Sequence, residues 1–292
     1  FTFPSGGTFP FRMTTEVSVI PDVLPFGPKY EMGPESELLD AAFYTGEASD
    51  GSNVAGRWAL FGRASNDATQ VALWAVNANT FQPSIFLVTV GDPASWRRIT
   101  PDFAVTPDAP VYWTPDSSAL YVGDIKIEIP PVGQLATITT PTNHGIGLND
   151  TSTTAMASDN WAFALNSGEV VALPILPNGD EDTSRDIVYV TNFGAGPISP
   201  DWPSVSPDGE ALTFADFHGV GALGVAPDVS DVYSLRHLPA ILAAPKIAST
   251  DISSLAPTTV DNEYVVKIRS AESGNFAHSP AYSQDKSLIF FN

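Results

Sequence analysis

Apolar residues in this chain fall at every second position in short runs, and Pro, Gly, Asp and Ser bound the runs. A period of two puts alternate side chains on one face of a strand, so the pattern predicts short strands and tight turns rather than long helices. Three segments repeat one shape: Val111-Tyr112-Trp113-Thr114-Pro115-Asp116, Pro203-Ser204-Val205-Ser206-Pro207-Asp208 and Pro280-Ala281-Tyr282-Ser283-Gln284-Asp285. Four and six places after each Asp stand apolar pairs: Leu120 and Val122, Leu212 and Phe214, Ile289 and Phe291. A weaker copy runs Ala155-Met156-Ala157-Ser158-Asp159, followed by Phe163 and Leu165. Pro presets φ, Asp bonds its own backbone and Gly accepts a positive φ, so each copy predicts a β-hairpin.

Two further strand-like runs follow each hairpin: 125–129 and 135–139, 169–173 and 186–191, 231–235 and 263–268. Four antiparallel strands per unit make a propeller blade. Asp116, Asp159 and Asp208 are spaced by a blade length of about 40–50 residues, whereas the step to Asp285 needs a long insertion, placed at 218–261. An earlier, less regular unit reads as 40–44, 57–62, 70–76 and 84–90. The last hairpin has no outer strands after it, and 9–14 and 15–20 read as strands with no hairpin before them. Joining the two completes a ring of about five blades in one domain over residues 1–292, without an open edge. The same residues also fit a piece of a larger propeller.

The segment Ser206-Pro207-Asp208-Gly209-Glu210-Ala211-Leu212-Thr213-Phe214 resembles the WD40-like repeat of TolB-type β-propellers, with Thr114–Val122 and Ser283–Phe291 as looser copies. The resemblance implies an all-β propeller and not a function, because propellers carry binding proteins, hydrolases and lyases alike. Peptidase relatives place their nucleophile on an added α/β-hydrolase domain with a G-x-S-x-G elbow. This chain has no such motif.

Charge narrows the partners. The chain has 292 residues, 33 of them acidic and 13 basic, for a net charge of −20. Such a surface repels phosphate backbones and anionic headgroups, which excludes nucleic acid as a favoured partner. No run of about 18 apolar residues predicts membrane insertion. With no Cys, disulfides, thiolate metal sites and a Cys nucleophile are excluded. The chain opens on Phe1 without a leader pattern and reads as a mature product. Its acidic, Thr/Ser/Asn-rich composition suits an extracellular or periplasmic setting.

Candidate chemistry clusters in four places. Asn178, Asp180, Asp182, Ser184 and Asp186 place an oxygen at every second position, which predicts a Ca²⁺ loop, although the central Gly and the terminal Glu of an EF-hand are missing. A solvated acidic turn explains the same residues. Just before the innermost strands stand Asp40, Asp108, Ser152, Asp201 and His278, which predict a cation or ligand site at the channel mouth. The resemblance to propeller-fold polysaccharide lyases adds His144, His218, His278, Tyr282 and Arg269 as groups to neutralise a uronate and take its α-proton. Trp96, beside Arg97-Arg98, and Trp202 fall in loop contexts and predict an exposed stacking platform, whereas Trp58, Trp113 and Trp161 read as core. There is no H-x-x-H or H-E-x-x-H pair, and one sequon, Asn149-Asp150-Thr151, is present. The expectation is a non-catalytic module that binds or assembles a protein or glycan. The alternative is a lyase or glycosidase working at the channel mouth. Neither the partner's identity nor the oligomeric state is legible.

Overall fold

A computed structural model describes residues 16–18, 39, 43, 57–77, 82–102, 111–122, 125–147, 152–156, 159–194, 198–206, 208–218, 229–247, 250–269, 280–282 and 289–291. Within them, strands dominate and are grouped in sequence order. The first four-stranded antiparallel sheet holds β2 (Arg57–Ala64), β3 (Gln70–Asn77), β4 (Pro83–Thr89) and β5 (Asp92–Arg98), with β1 (Glu16–Ser18) lying elsewhere. The second holds β6 (Val111–Trp113), β7 (Ala119–Val122), β8 (Ile125–Glu128) and β9 (Ile138–Thr139). A small hairpin of β10 (Thr142–Asn143) and β11 (Ile146–Gly147) leads to the third: β12 (Ser152–Met156), β13 (Asp159–Asn166), β14 (Glu169–Ile175) and β15 (Val188–Tyr189). The fourth holds β16 (Pro200–Val205), β17 (Leu212–His218), β18 (Val229–Leu235) and β19 (Val265–Arg269). Each sheet is a meander, and the first strands β2, β6, β12 and β16 touch one after another, as radial stacking around an axis demands. The architecture is a β-propeller.

The first blade corrects the sequence reading. Its sheet runs from Arg57–Ala64 to Asp92–Arg98, an outer strand the sequence reading had not placed; of 40–44 only Phe43 is described, and it packs edge-on against Phe86 and Trp96. The other blades follow the expected spans. Leu120, Val122, Leu212, Phe214, Phe163 and Ile289 are all fully buried. Their strand neighbours Tyr121, Ala162 and Ala215 are buried as well, because a middle strand is covered by a blade on each side.

The repeated turn has a common mechanism. In Ser206–Ala211 the Ser206 hydroxyl donates to Asp208 Oδ1 (2.7 Å), the same oxygen accepts from Glu210 N–H (3.2 Å), and Ala211 N–H donates to Ser206 Oγ (3.0 Å). Thr114, Asp116, Ser118 and Ala119 repeat these bonds at 3.0, 2.9 and 3.0 Å. Ser65, Asp67, Thr69 and Gln70 repeat them at 2.5, 3.1 and 3.1 Å. The fourth residue is left-handed in each case: Gly209 (φ 74°), Ser117 (φ 59°) and Ala68 (φ 56°). The Ser/Thr–x–Asp triplet therefore adds side-chain bonds to the backbone bond that closes each of these three hairpins. The copy at Ser65-Asn66-Asp67 lacks the Pro that marks the others.

The two ends of the described chain meet. Strand β1 pairs antiparallel with β21 (Ile289–Phe291), which pairs with β20 (Ala281–Tyr282), and β20 touches β16 of the fourth blade. This three-stranded sheet draws strands from both ends, as the hairpin count required; 9–14 lies outside the described residues.

Between β18 and β19 the chain leaves the fourth blade. A short helix, α1 (Leu238–Ala243), buries Leu238 and Ile241, and the segment after it reaches the outer edge of the third blade. There Tyr189 N–H donates to Asp251 O (2.8 Å), Ser253 N–H donates to Tyr189 O (3.1 Å) and Asn192 N–H donates to Pro257 O (3.0 Å). The segment satisfies an edge that two-residue β15 would otherwise expose. It straps blade four to blade three.

Candidate functional site

The acidic loop 178–186 does not gather around a point. Asn178 Oδ1 accepts from Asp180 N–H (3.1 Å), and Asp180 Oδ1 meets Lys126 Nζ (2.6 Å) of the second blade. Asp182 Oδ1 accepts from the N–H (3.0 Å) and hydroxyl (2.6 Å) of Ser184, and its Oδ2 takes Arg185 Nε (2.7 Å). Asp186 is exposed and lies 3.4 Å from Lys246 Nζ. Among the described residues no three His, Asp or Glu side chains converge into a metal-sized cluster. In this arrangement Asn178 Oδ1 and Asp182 Oδ1 accept from N–H groups two residues on, and Asp180 and Asp186 face lysines from other segments.

What this loop does instead is join blades. Tyr121 of β7 donates its hydroxyl to Gly179 O, and Asp116 N–H donates to Pro177 O (3.1 Å). Lys126 is nearly fully buried, so its ammonium depends on Asp180 for compensation. Hydrogen bonds from Ser184, and then from Arg185, hold the Asp182 carboxyl down to about 2. A depressed carboxylate contributes stability above its unfolded value of about 3.9 and loses it as pH falls through the folded value. Acid titration of stability is therefore expected to fall between about pH 4 and 2, and Asp182→Asn to flatten that fall. Superimposable acid limbs in pH-dependent melts of the two proteins would contradict it.

Of the lyase candidates, the side chains of His144 and Tyr282 are described, and they are tied to different segments. His144 sits at the tip of the β10–β11 hairpin, where its N–H donates to Glu181 Oε1 (3.0 Å) and Nε2 lies 3.7 Å from the same oxygen. Tyr282 lies on β20, its hydroxyl 2.8 Å from Ser234 Oγ, and burial pushes the phenol up to about 12. Such a phenol stays protonated near neutral pH and makes a poor base. His218 lies in β17 and Arg269 in β19, with side chains outside the described set; Asp40, Asp108 and His278 also lie outside it. The side chain of Ser152 on β12 is likewise not described.

Trp96 is corrected from platform to core: it is 1% exposed and packs against Phe43 and Phe86. Alternation along β5 turns it inward between Ser95 and Arg97. Trp113 and Trp161 are buried, as read. Trp202 is half-buried with φ 46°, beside a register shift between Asp201 and Ser204, and its N–H donates to Asp201 Oδ1 (2.9 Å). The bulge places Asp201 and Trp202 on innermost strand β16.

A second buried cluster lies in the gap between blades three and four. Asp216 and Asp231 stand opposite each other on β17 and β18, both under 5% exposed. Lys267 Nζ (2.7 Å) and the Tyr233 hydroxyl (3.1 Å) bond Asp231 Oδ2, and Ser199 N–H donates to Asp216 Oδ1 (2.9 Å). Burial, then the adjacent carboxylates, raise the Tyr233 phenol far above its ordinary range. Paired carboxylates of a glycosidase need access to a sugar; this pair is covered.

One site was not legible in the sequence. Arg63 on β2 lies opposite Ala72, on the face turned towards the second blade. Tyr112 on β6 packs with Ala162, Val171 and Leu173 of the third blade, so it leaves the second blade from its opposite face. Yet the Arg63 guanidinium carbon sits 4.3 Å from the Tyr112 ring centroid. The two meet around the inner edge of β6, which among the described residues pairs with β7 alone. The Tyr112 hydroxyl then reaches Pro203 O (3.3 Å) on β16 of the fourth blade. An aromatic side chain with a cation on it thus crosses the axial channel. Burial lowers the guanidinium from its ordinary value, with Tyr112 opposing.

No family model matches the chain, and no curated protein is significantly similar to it. Solved structures resemble it at low identity. A protein assigned to TolB from Agrobacterium tumefaciens is 12% identical with a TM-score of 0.46, over 82% of this chain and 78% of that one. Hydrazine synthase from Kuenenia stuttgartiensis is 14% identical at 0.42, over 78% and 53%. An exo-β-1,3-galactanase from Phanerochaete chrysosporium is 10% identical at 0.38, over 87% and 63%. These values add nothing to the fold that the strand order does not already carry, and they assign no activity.

Proposed function

We propose that this propeller is a non-catalytic binding module of an extracellular or periplasmic setting, and that its partner is a protein. The observation that carries the reading is the loop 129–137. Val132 is 77% and Leu135 59% exposed, although the loop is fixed on both sides of them. Arg97 Nη2 holds Pro130 O (2.9 Å) and Ala136 N–H donates to Ile99 O (2.7 Å). Rigid, exposed apolar groups bind with little ordering cost. The net charge of −20 favours a partner with basic residues around the contact. Of the candidate groups, His144 and Tyr282 are engaged by Glu181 and Ser234, which supports binding over turnover.

The test is cross-linking mass spectrometry of the protein in the secreted fraction of its source, against the Val132→Glu/Leu135→Glu double variant. One dominant partner, cross-linked beside this loop and reduced at least ~10-fold in the variant, is expected for a contact centred on two apolar anchors. Unchanged cross-linking, or turnover of a polysaccharide panel by the wild-type protein, would overturn the reading.

A further inference from the structure

We infer that the axial channel holds a carboxylate-binding site at Arg63, and that its occupant is the C-terminal end of a peptide. Arg63 is intermediate in exposure as a residue, its guanidinium is desolvated, and it interacts with the Tyr112 side chain. In a chain with 33 acidic residues against 13 basic ones, it forms no ion pair among the described residues. Its neighbours behave otherwise: Lys126, Arg185 and Lys267 each hold a carboxylate within 2.7 Å. A cation that is partly desolvated and left without an anion is poised to bind one, because its hydration cost has already been met by folding.

The setting fixes which anion. The Arg63 guanidinium is held over the Tyr112 ring and hydrogen-bonds that side chain, and with five N–H donors it keeps others for a planar, two-oxygen acceptor. Tyr112 is held by Pro203 from across the channel, and the Trp113 indole N–H donates to Arg63 O (2.9 Å), so ring and backbone are both positioned beforehand. Among the described residues the inner edge of β6 pairs with no strand and offers backbone groups to an extended chain. A polyanionic glycan would meet the repulsion of the whole surface. One terminal carboxylate on a neutral or basic peptide would not. This inference is independent of the outer-loop contact proposed above.

The test is calorimetric titration with the peptide Lys-Ala-Ala as the free acid and as the C-terminal amide, with glucuronate as a third probe, followed in parallel by tryptophan emission. The free acid is expected to bind and to perturb the emission through Trp113. The amide should bind at least ~10-fold more weakly, as for loss of a charge-assisted contact. Arg63→Gln should abolish the difference between acid and amide, whereas Arg63→Lys should keep part of it. If Arg63→Gln fails to fold, the acid–amide comparison on wild type and on Arg63→Lys decides the matter. Equal binding of acid and amide, no binding of the acid, or an acid preference retained in Arg63→Gln would overturn the proposal. Binding of glucuronate in preference to the peptide acid would overturn the peptide assignment.

Discussion

Phe214→Ala is expected to destabilise the protein by about 3–5 kcal/mol, the usual range for removing a buried aromatic ring. Phe214 is fully buried, stacks on Tyr233 at 5.4 Å and meets Phe193 of the third blade at 6.0 Å. Its ring therefore fills the gap between blades three and four rather than one sheet alone. The gap is bordered by Asp216, Asp231 and Lys267, and a cavity there would admit water to a charged cluster that is now covered. Urea unfolding measures the loss, with Phe214→Leu as the volume-sparing control at under about 1.5 kcal/mol. A loss under about 1 kcal/mol for Phe214→Ala would mean that the ring does not fill a packed gap.

Gly179→Ala is expected to cost about 2–4 kcal/mol, from two separable causes. Gly179 has φ 85°, and a methyl group on it would stand 2.6 Å from Thr114 Cγ2 and 2.7 Å from Tyr121 Oη. It would push apart the bonds that hold the 176–182 loop on the second blade. Gly133 has a similar φ of 81°, and a methyl group on it would meet nothing within 4 Å, so Gly133→Ala isolates the conformational part. That part is about 1 kcal/mol. Denaturant midpoints of the two variants decide the point: if they shift equally, packing at Gly179 contributes nothing.

The strands were legible because their chemistry is local. Leu212 and Phe214 show their common face by spacing alone, and Ser206-Pro207-Asp208 writes its turn in adjacent letters. Where the Pro was absent, at Ser65-Asn66-Asp67, the same hydrogen bonds formed without that sign, and the outer strand of the first blade, Asp92–Arg98, was not placed. The acidic loop reads two ways for a physical reason. Oxygens at alternate positions suit a cation, but they equally suit side chains that each bond an N–H two residues on, as Asn178 and Asp182 do. Trp96 was read from its charged neighbours, whereas strand alternation decides its direction. Arg63 gave no signal, since its meaning depends on Tyr112 and Pro203, partners that only the stacking of blades brings near. The lyase set was assembled by residue type, and His144 and Tyr282 are tied to different blades.

The pairing of Glu16–Ser18 with Ile289–Phe291 carries a kinetic consequence. Bonds between segments so distant in sequence demand the largest loop-closure entropy of the described strand pairings and offer only a few ladder contacts in return. During synthesis the early segment waits, without its partner, until the residues between them have been made. Completion of the circle is then a late and slow event, separate from the quick local formation of each hairpin.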